Sequence, residues 1–155
     1  MKSLKLLACA LFPLALTANV NAKEYSFGMG VGSLYSGLGV NIASHSENSL
    51  TYISAGCVSY SSRAGSTCGV GGGWITTNIL SVPNNKHGLG AYVGIVGTER
   101  ESFDNHDAIY GGGLGYHYFF NGIDRAGTNI GLGFMVGDTN DGTEGALVFQ
   151  LGYQF

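Results

Sequence analysis

Apolar and polar residues alternate with a period of two along most of this chain, the pattern of strands with one face buried and one not. Tyr25, Phe27, Met29 and Val31 are separated by Ser26, Gly28, Gly30 and Gly32, and Leu38, Val40 and Ile42 follow. Further strands are expected over residues 50–60 and 68–79, then at Leu89, Ala91, Val93 and Ile95, over 108–120, and at Ile130, Leu132, Phe134 and Val136. The eighth covers residues 146–155, where Leu147, Phe149, Leu151, Tyr153 and Phe155 alternate with Val148, Gln150, Gly152 and Gln154. No ten-residue stretch has helical periodicity, so the expected class is all-β.

The two faces differ in kind. One carries Leu, Val, Ile, Phe and Tyr; the other is mainly Gly, Ser, Asn and Gln, too small and polar for an ordinary core. Charge falls almost entirely in the connections, whereas a soluble sandwich places Lys, Glu and Thr on the outward face of its strands. The pattern fits an antiparallel up-and-down barrel turned inside out, with large apolar residues toward lipid and every backbone group paired because the sheet closes. Eight strands leave about seventeen residues for each strand and its link, which suits transmembrane strands, and the even count puts both termini on one side.

The expected lumen is lined by Gly28, Gly30, Gly32, Gly111, Gly113, Gly115, Gly131 and Gly133, with Asn41, Tyr92, His117, Asn129, Gln150 and Gln154. These glycines either let the strands bend around a small barrel or leave a void for an acyl chain or other apolar ligand. Tyr25, Tyr116, Tyr118, Phe119, Phe120, Tyr153 and Phe155 gather at one set of strand ends as an interfacial girdle. Trp74 and Tyr60 belong to the opposite rim or the middle. The lipid-facing parity of the third and fourth strands is left open by their Gly, Ser and Thr; a bulge is one way to resolve it.

Composition adds the compartment. A basic head (Met1 to Lys5), an apolar run (Leu6 to Ala18) and the small-residue site Val20-Asn21-Ala22 read as a secretory signal peptide over residues 1–22, leaving a barrel domain over 23–155. The run is too short to span a bilayer as a helix. Cleavage removes Cys9 and leaves Cys57 and Cys68, which lie symmetrically about Ser62 and Arg63; a hairpin there brings them together, and a structural disulfide is expected. The formal net charge of −3 argues against a nucleic-acid partner.

An export signal, alternating strands throughout and a last strand rich in aromatics and ending in Phe155 resemble a bacterial outer-membrane β-barrel, and the size resembles the eight-stranded OmpA/OmpX type. The resemblance implies the outer membrane of a Gram-negative bacterium, a monomer among lipid and lipopolysaccharide, and an assembly signal for the barrel-assembly machinery at Phe149, Leu151, Gly152, Tyr153 and Phe155. It specifies fold and location and leaves function open.

With periplasmic termini, the outer loops fall near residues 33–37, 61–67, 98–107 and 138–145. The last two are acidic, and Asp138, Asp141 and Glu144 are candidates for a divalent cation that bridges to lipopolysaccharide phosphates. The run "DTNDGTEG" lacks EF-hand spacing, so solvated acidic loops are the simpler reading. Lipid A acyltransferases and deacylases occur on this scaffold. However, His117 has no serine two residues away, and His45, beside Ser44, Ser46 and Glu47, is expected in a periplasmic turn. His87 and His106 look like loop residues, and four dispersed histidines make no metal motif. No cofactor is expected. The expected function is a non-enzymatic barrel with a structural or surface-interaction role; a narrow channel for small or apolar solutes is the alternative, and a lipid A-modifying enzyme the third.

Overall fold

The computed structural model describes residues 24–61, 65–100, 106–140 and 142–155. The expected leader over residues 1–22 lies outside these, as do Ser62, Arg63, Glu101, Asp104 and Asp141. Eight antiparallel strands follow in chain order: β1 (Glu24–Gly32), β2 (Gly37–Ser46), β3 (Ser49–Ser61), β4 (Gly65–Thr76), β5 (His87–Arg100), β6 (His106–Phe119), β7 (Gly127–Thr139) and β8 (Gly142–Gln154). Each pairs with the next, and β8 closes on β1, giving an up-and-down barrel. Among the described residues no helix is long and apolar enough to cross a membrane.

The alternation sorts side chains as the sequence implies. Phe27, Met29, Leu38, Ile42, Leu114, Leu132, Phe134, Leu147 and Phe149 are exposed on the outer face, while Asn41, Tyr92, His117, Asn129, Gln150 and Gln154 are buried inside. Strands β3 and β4 now have a parity. Leu50, Tyr52, Ser54 and Ile75 point inward, and Ile53, Val70 and Trp74 point outward. A register shift between Cys57 and Ser59 accommodates the irregular upper part of β3. Cys57 and Cys68 face one another across β3 and β4 and form the expected disulfide.

Several expectations need correction. Ile95 does not continue the outward series of Leu89, Ala91 and Val93, because a register shift between Ile95 and Gly97 turns its side chain into the barrel, where it is buried. Phe119 is likewise buried inside rather than part of the aromatic girdle. Finally, residues 33–37 are not an outer loop: Ser33–Tyr35 form a 3-10 turn folded into the lumen, and all three are buried. The strands also reach further than expected, so that Thr98 to Arg100 belong to β5 and Gly142 to Gly145 to β8.

Candidate functional site: a plugged lumen and an apolar vestibule

An eight-stranded barrel encloses a space that side chains just fill. Here the filling comes partly from the β1–β2 connection. Gly32 (φ 113°) and Gly37 (φ 96°) flank the inward turn with a backbone that side-chain-bearing residues rarely adopt, and Ser36 between them is left-handed (φ 55°). The chain thereby leaves the wall and returns to it within a few residues. Leu34 and Tyr35, both with 0% exposure, become a plug.

The glycines on the inner wall are the complement of that plug. A Cβ at Gly30 or Gly152 would collide with the Tyr35 ring, one at Gly71 with Tyr92, one at Gly73 with Tyr52, and one at Gly28 with the Gln154 amide. Through the middle of the barrel the glycine face therefore makes room for large inward side chains, an arrangement that neither reading of those glycines named. The polar groups introduced with the plug are matched. Tyr35 Oη donates to Asn129 Oδ1 (3.2 Å) and accepts from Asn129 Nδ2 (2.8 Å), while Gln150 Oε1 accepts from Leu34 N (3.1 Å) and Ser33 Oγ (3.3 Å). Asn41 Nδ2 donates to Leu34 O (3.0 Å), and Ser36 Oγ bonds Ser54 Oγ (2.7 Å) and Tyr92 Oη (3.1 Å). Gln150 Nε2 reaches both His117 Nδ1 (3.0 Å) and Asn129 Oδ1 (3.1 Å), which fixes the proton of His117 on Nε2.

The end of the barrel that carries the termini is closed separately. Ile123, in the β6–β7 connection, is fully buried in a cluster that includes Leu50, Ile75 and Phe119. Its backbone N donates to Asn85 O (2.9 Å), and its carbonyl bonds His45 Nδ1 (2.6 Å). His45 is thus not a turn residue. It is a buried member of β2 whose other ring nitrogen meets Ser26 Oγ on β1. Ser26 Oγ also accepts from Gln154 Nε2 (2.7 Å), which donates in addition to Asn41 Oδ1 (2.9 Å).

Ser26, His45 and the Ile123 carbonyl stand in the order of nucleophile, base and orienting acceptor. A hydrolase also needs room for substrate and donors for an oxyanion. Ser26 lines neither the vestibule described next nor the apolar grooves on the outer wall, and Gln154 occupies its oxygen. The arrangement clasps the seam where β8 meets β1, a seam of only four ladder pairs, from Gly28–Gln154 to Val31–Leu151.

Beyond the plug, toward the end opposite the termini, the lumen widens into an apolar vestibule of about 380 Å³. Ile95, Val96, Met135 and Val148 form its inner walls, and Ser33, Tyr60 and Tyr92 contribute polar groups. Val31, Leu38 and Phe149, which belong to the outer face, line the same space.

The acidic candidates do not converge. Asp138 pairs with Thr143 and accepts from its hydroxyl (2.8 Å), whereas Glu144 pairs with Gly137 one position along, so the two carboxylates lie on opposite faces of the β7–β8 hairpin. Asp141 is outside the described residues, among which no group of three or more His, Cys, Asp or Glu is placed to hold a metal. Glu99 makes a local tie instead. Its carboxylate accepts from the backbone N and the side-chain amide of Asn140 (3.1–3.2 Å), which holds β5 to the β7–β8 turn.

Of the terminal-strand residues, Phe149, Leu151, Tyr153 and Phe155 are exposed on the outer face, and Gly152 points inward at Tyr35. Phe155 N donates to Phe27 O (2.7 Å), and its ring packs edge-on against Tyr153 with centroids 4.9 Å apart. Sequence reasoning missed the plug and the Ser26–His45 contact. The plug had one visible signal, the apolar pair Leu34-Tyr35 between two glycines in a segment expected to face water. Comparison with protein-family models, with curated proteins and with solved structures finds no match.

Proposed function

We propose that this chain is an integral outer-membrane barrel of a Gram-negative bacterium, of the OmpA/OmpX type. It is exported by a leader over residues 1–22 and inserted by the barrel-assembly machinery through Phe149, Leu151, Gly152, Tyr153 and Phe155. One observation carries the reading: large apolar side chains at alternate positions all round the wall are exposed, with Leu147 73% and Val93 72% accessible, while the opposite face is filled. In water so large an apolar surface drives association; in a bilayer it is the ordinary exterior of a barrel.

Within the membrane the protein has a structural or surface-interaction role without enzymatic activity. Its loop end carries Glu99, Asp107, Asp138 and Glu144 toward the lipopolysaccharide layer. The plug of Leu34 and Tyr35 argues against an aqueous channel, and the vestibule favours apolar molecules as the second reading over small polar solutes. Outer-membrane fractionation together with heat-modifiable migration on gels tests the proposal. Recovery as a soluble periplasmic protein overturns it.

A further inference from the structure

Strand lengths around the barrel are uneven. β1 and β2 have 9 and 10 residues, while β3, β7 and β8 have 13 and β5 and β6 have 14. The ladder between β1 and β8 ends at Val31–Leu151, and the chain then turns inward at Gly32. From Phe149 back to Gly142, β8 has no ladder partner on that side among the described residues, although its other edge stays paired with β7 to Gly142. On the far side of the short hairpin, β2 meets β3 only as far as Leu38–Cys57, while β3 continues to Ser61. The wall therefore has a notch where the β1–β2 hairpin stops short.

The vestibule lies behind that notch and passes through it. Inward-facing Val96, Met135 and Val148 share one continuous space with Val31, Leu38 and Phe149 of the outer face. We propose that the notch admits an acyl chain of a surrounding membrane lipid, which enters sideways between β8 and the β1–β2 hairpin and lies in the vestibule above the Leu34–Tyr35 plug. The inference rests on the membrane reading above.

Three features select this occupant. The inner wall is aliphatic, and among the described residues no charged side chain lines the space, which favours an apolar occupant. Its volume of about 380 Å³ equals the liquid share of roughly a dozen water molecules, enough for a length of hydrocarbon and too little for a folded partner. The free edge of β8 presents backbone N–H and C=O groups beside an apolar pit, and such groups are costly to leave unpaired at membrane depth. An acyl ester at the mouth accepts from the N–H groups while its chain fills the interior; a simple hydrocarbon does not.

The test uses the full-length mature barrel in vesicles containing a phospholipid with a photoactivatable diazirine on one acyl chain, with adducts mapped by mass spectrometry. Adducts on inward Met135, Val148 or Ile95, in addition to outward Leu132 and Phe134, are the expected result. Val148→Trp fills the vestibule and lowers the inward adducts by about tenfold, as displacement of roughly two methylenes implies, with outward adducts unchanged. Val148→Phe serves the same purpose should the larger indole prevent folding, and heat-modifiable migration reports folding for both. Outward adducts alone overturn the acyl site and leave the membrane reading standing. Absence of adducts at both sets overturns the membrane reading and the site with it. Inward labelling by a diazirine fatty acid supplied from water, but not by the vesicle lipid, overturns the sideways route.

Discussion

Tyr35 and Asn129, ninety-four residues apart in sequence, exchange two hydrogen bonds at the centre of the barrel, and neither is exposed. The pair joins the inward turn after β1 to the wall at β7, beyond β8, so the turn is part of the lumen rather than a cover over it. Gln150 extends the link to the turn's backbone at Leu34 and to His117 on β6.

Removing the ring at Tyr35 tests that role. Tyr35→Ala is expected to destabilise the barrel by roughly 3–5 kcal/mol, the range for deleting a buried aromatic side chain, and to leave Asn129 Nδ2 without its acceptor. Tyr35→Phe keeps the volume and is expected to cost about 1–3 kcal/mol for the unpaired amide. Urea unfolding in detergent gives the ranking. Single-channel recording adds a second readout: neither variant conducts, because the Ile123 cluster still closes the end that carries the termini.

Gly152 and Tyr35 are coupled by shape. A Cβ at Gly152 points into the Tyr35 ring, so Gly152→Ala is expected to cost about 1–3 kcal/mol through overpacking. The same substitution in a Tyr35→Ala background finds open space and is expected to be close to neutral. A double-mutant cycle measures the difference; additive effects would show that Gly152 serves the backbone and not the plug.

What was legible in the sequence followed from the period of two. Residues such as Phe27, Leu132 and Phe149 face outward because nothing interrupts their alternation, and Asn129, Gln150 and Gln154 face inward for the same reason. Ile95 escaped because one extra residue at the bulge reverses parity and leaves no mark in composition. His45 was expected in a turn because the polar run from Ser44 to Asn48 hides the end of the strand, while it lies in β2 and contacts Ser26 across the β1–β2 ladder. The plug depends on contacts from residue 35 to residues 129 and 152, which a one-dimensional pattern does not encode.

The Cys57–Cys68 bond closes a short loop between β3 and β4, with a sequence separation of 11. Reduction is expected to lower stability by roughly 2–3 kcal/mol on the chain-entropy account, with β-sheet content retained because the remaining ladder between Ser49 and Gly56 does not depend on it. Urea unfolding with and without reductant, together with circular dichroism, measures both quantities.

Trp74 is the single tryptophan of the chain and is 47% exposed on the outer wall of β4, in a groove with Leu89, Leu114 and Leu132. If that wall faces lipid, its fluorescence is quenched by phospholipids brominated on the acyl chain and resists iodide added from water. Iodide quenching without bromine quenching would place β4 in water and count against the membrane reading as a whole.

The clasp at the β8–β1 seam separates a structural from a chemical role for Ser26. Gln154 Nε2 donates to Ser26 Oγ and Asn41 Oδ1, and Ser26 Oγ in turn meets the His45 ring, so three strands are joined at the level where only four ladder pairs close the barrel. Gln154→Leu keeps similar bulk but strips two donors from buried acceptors, at an expected cost of about 2–4 kcal/mol. Because the lost contacts lie on the closing seam, the effect is expected mainly as faster unfolding, with β8 parting from β1 before the β7–β8 hairpin opens; hydrogen exchange at Val31 and Leu151 reports that order. Ser26→Ala removes the shared oxygen and is expected to destabilise by about 1–2 kcal/mol without altering the lipid A of cells that overexpress the barrel. A Ser26-dependent change in lipid A mass would mean that the Ser26–His45 pair is a nucleophile and its base, and that the seam is an active site instead of a clasp.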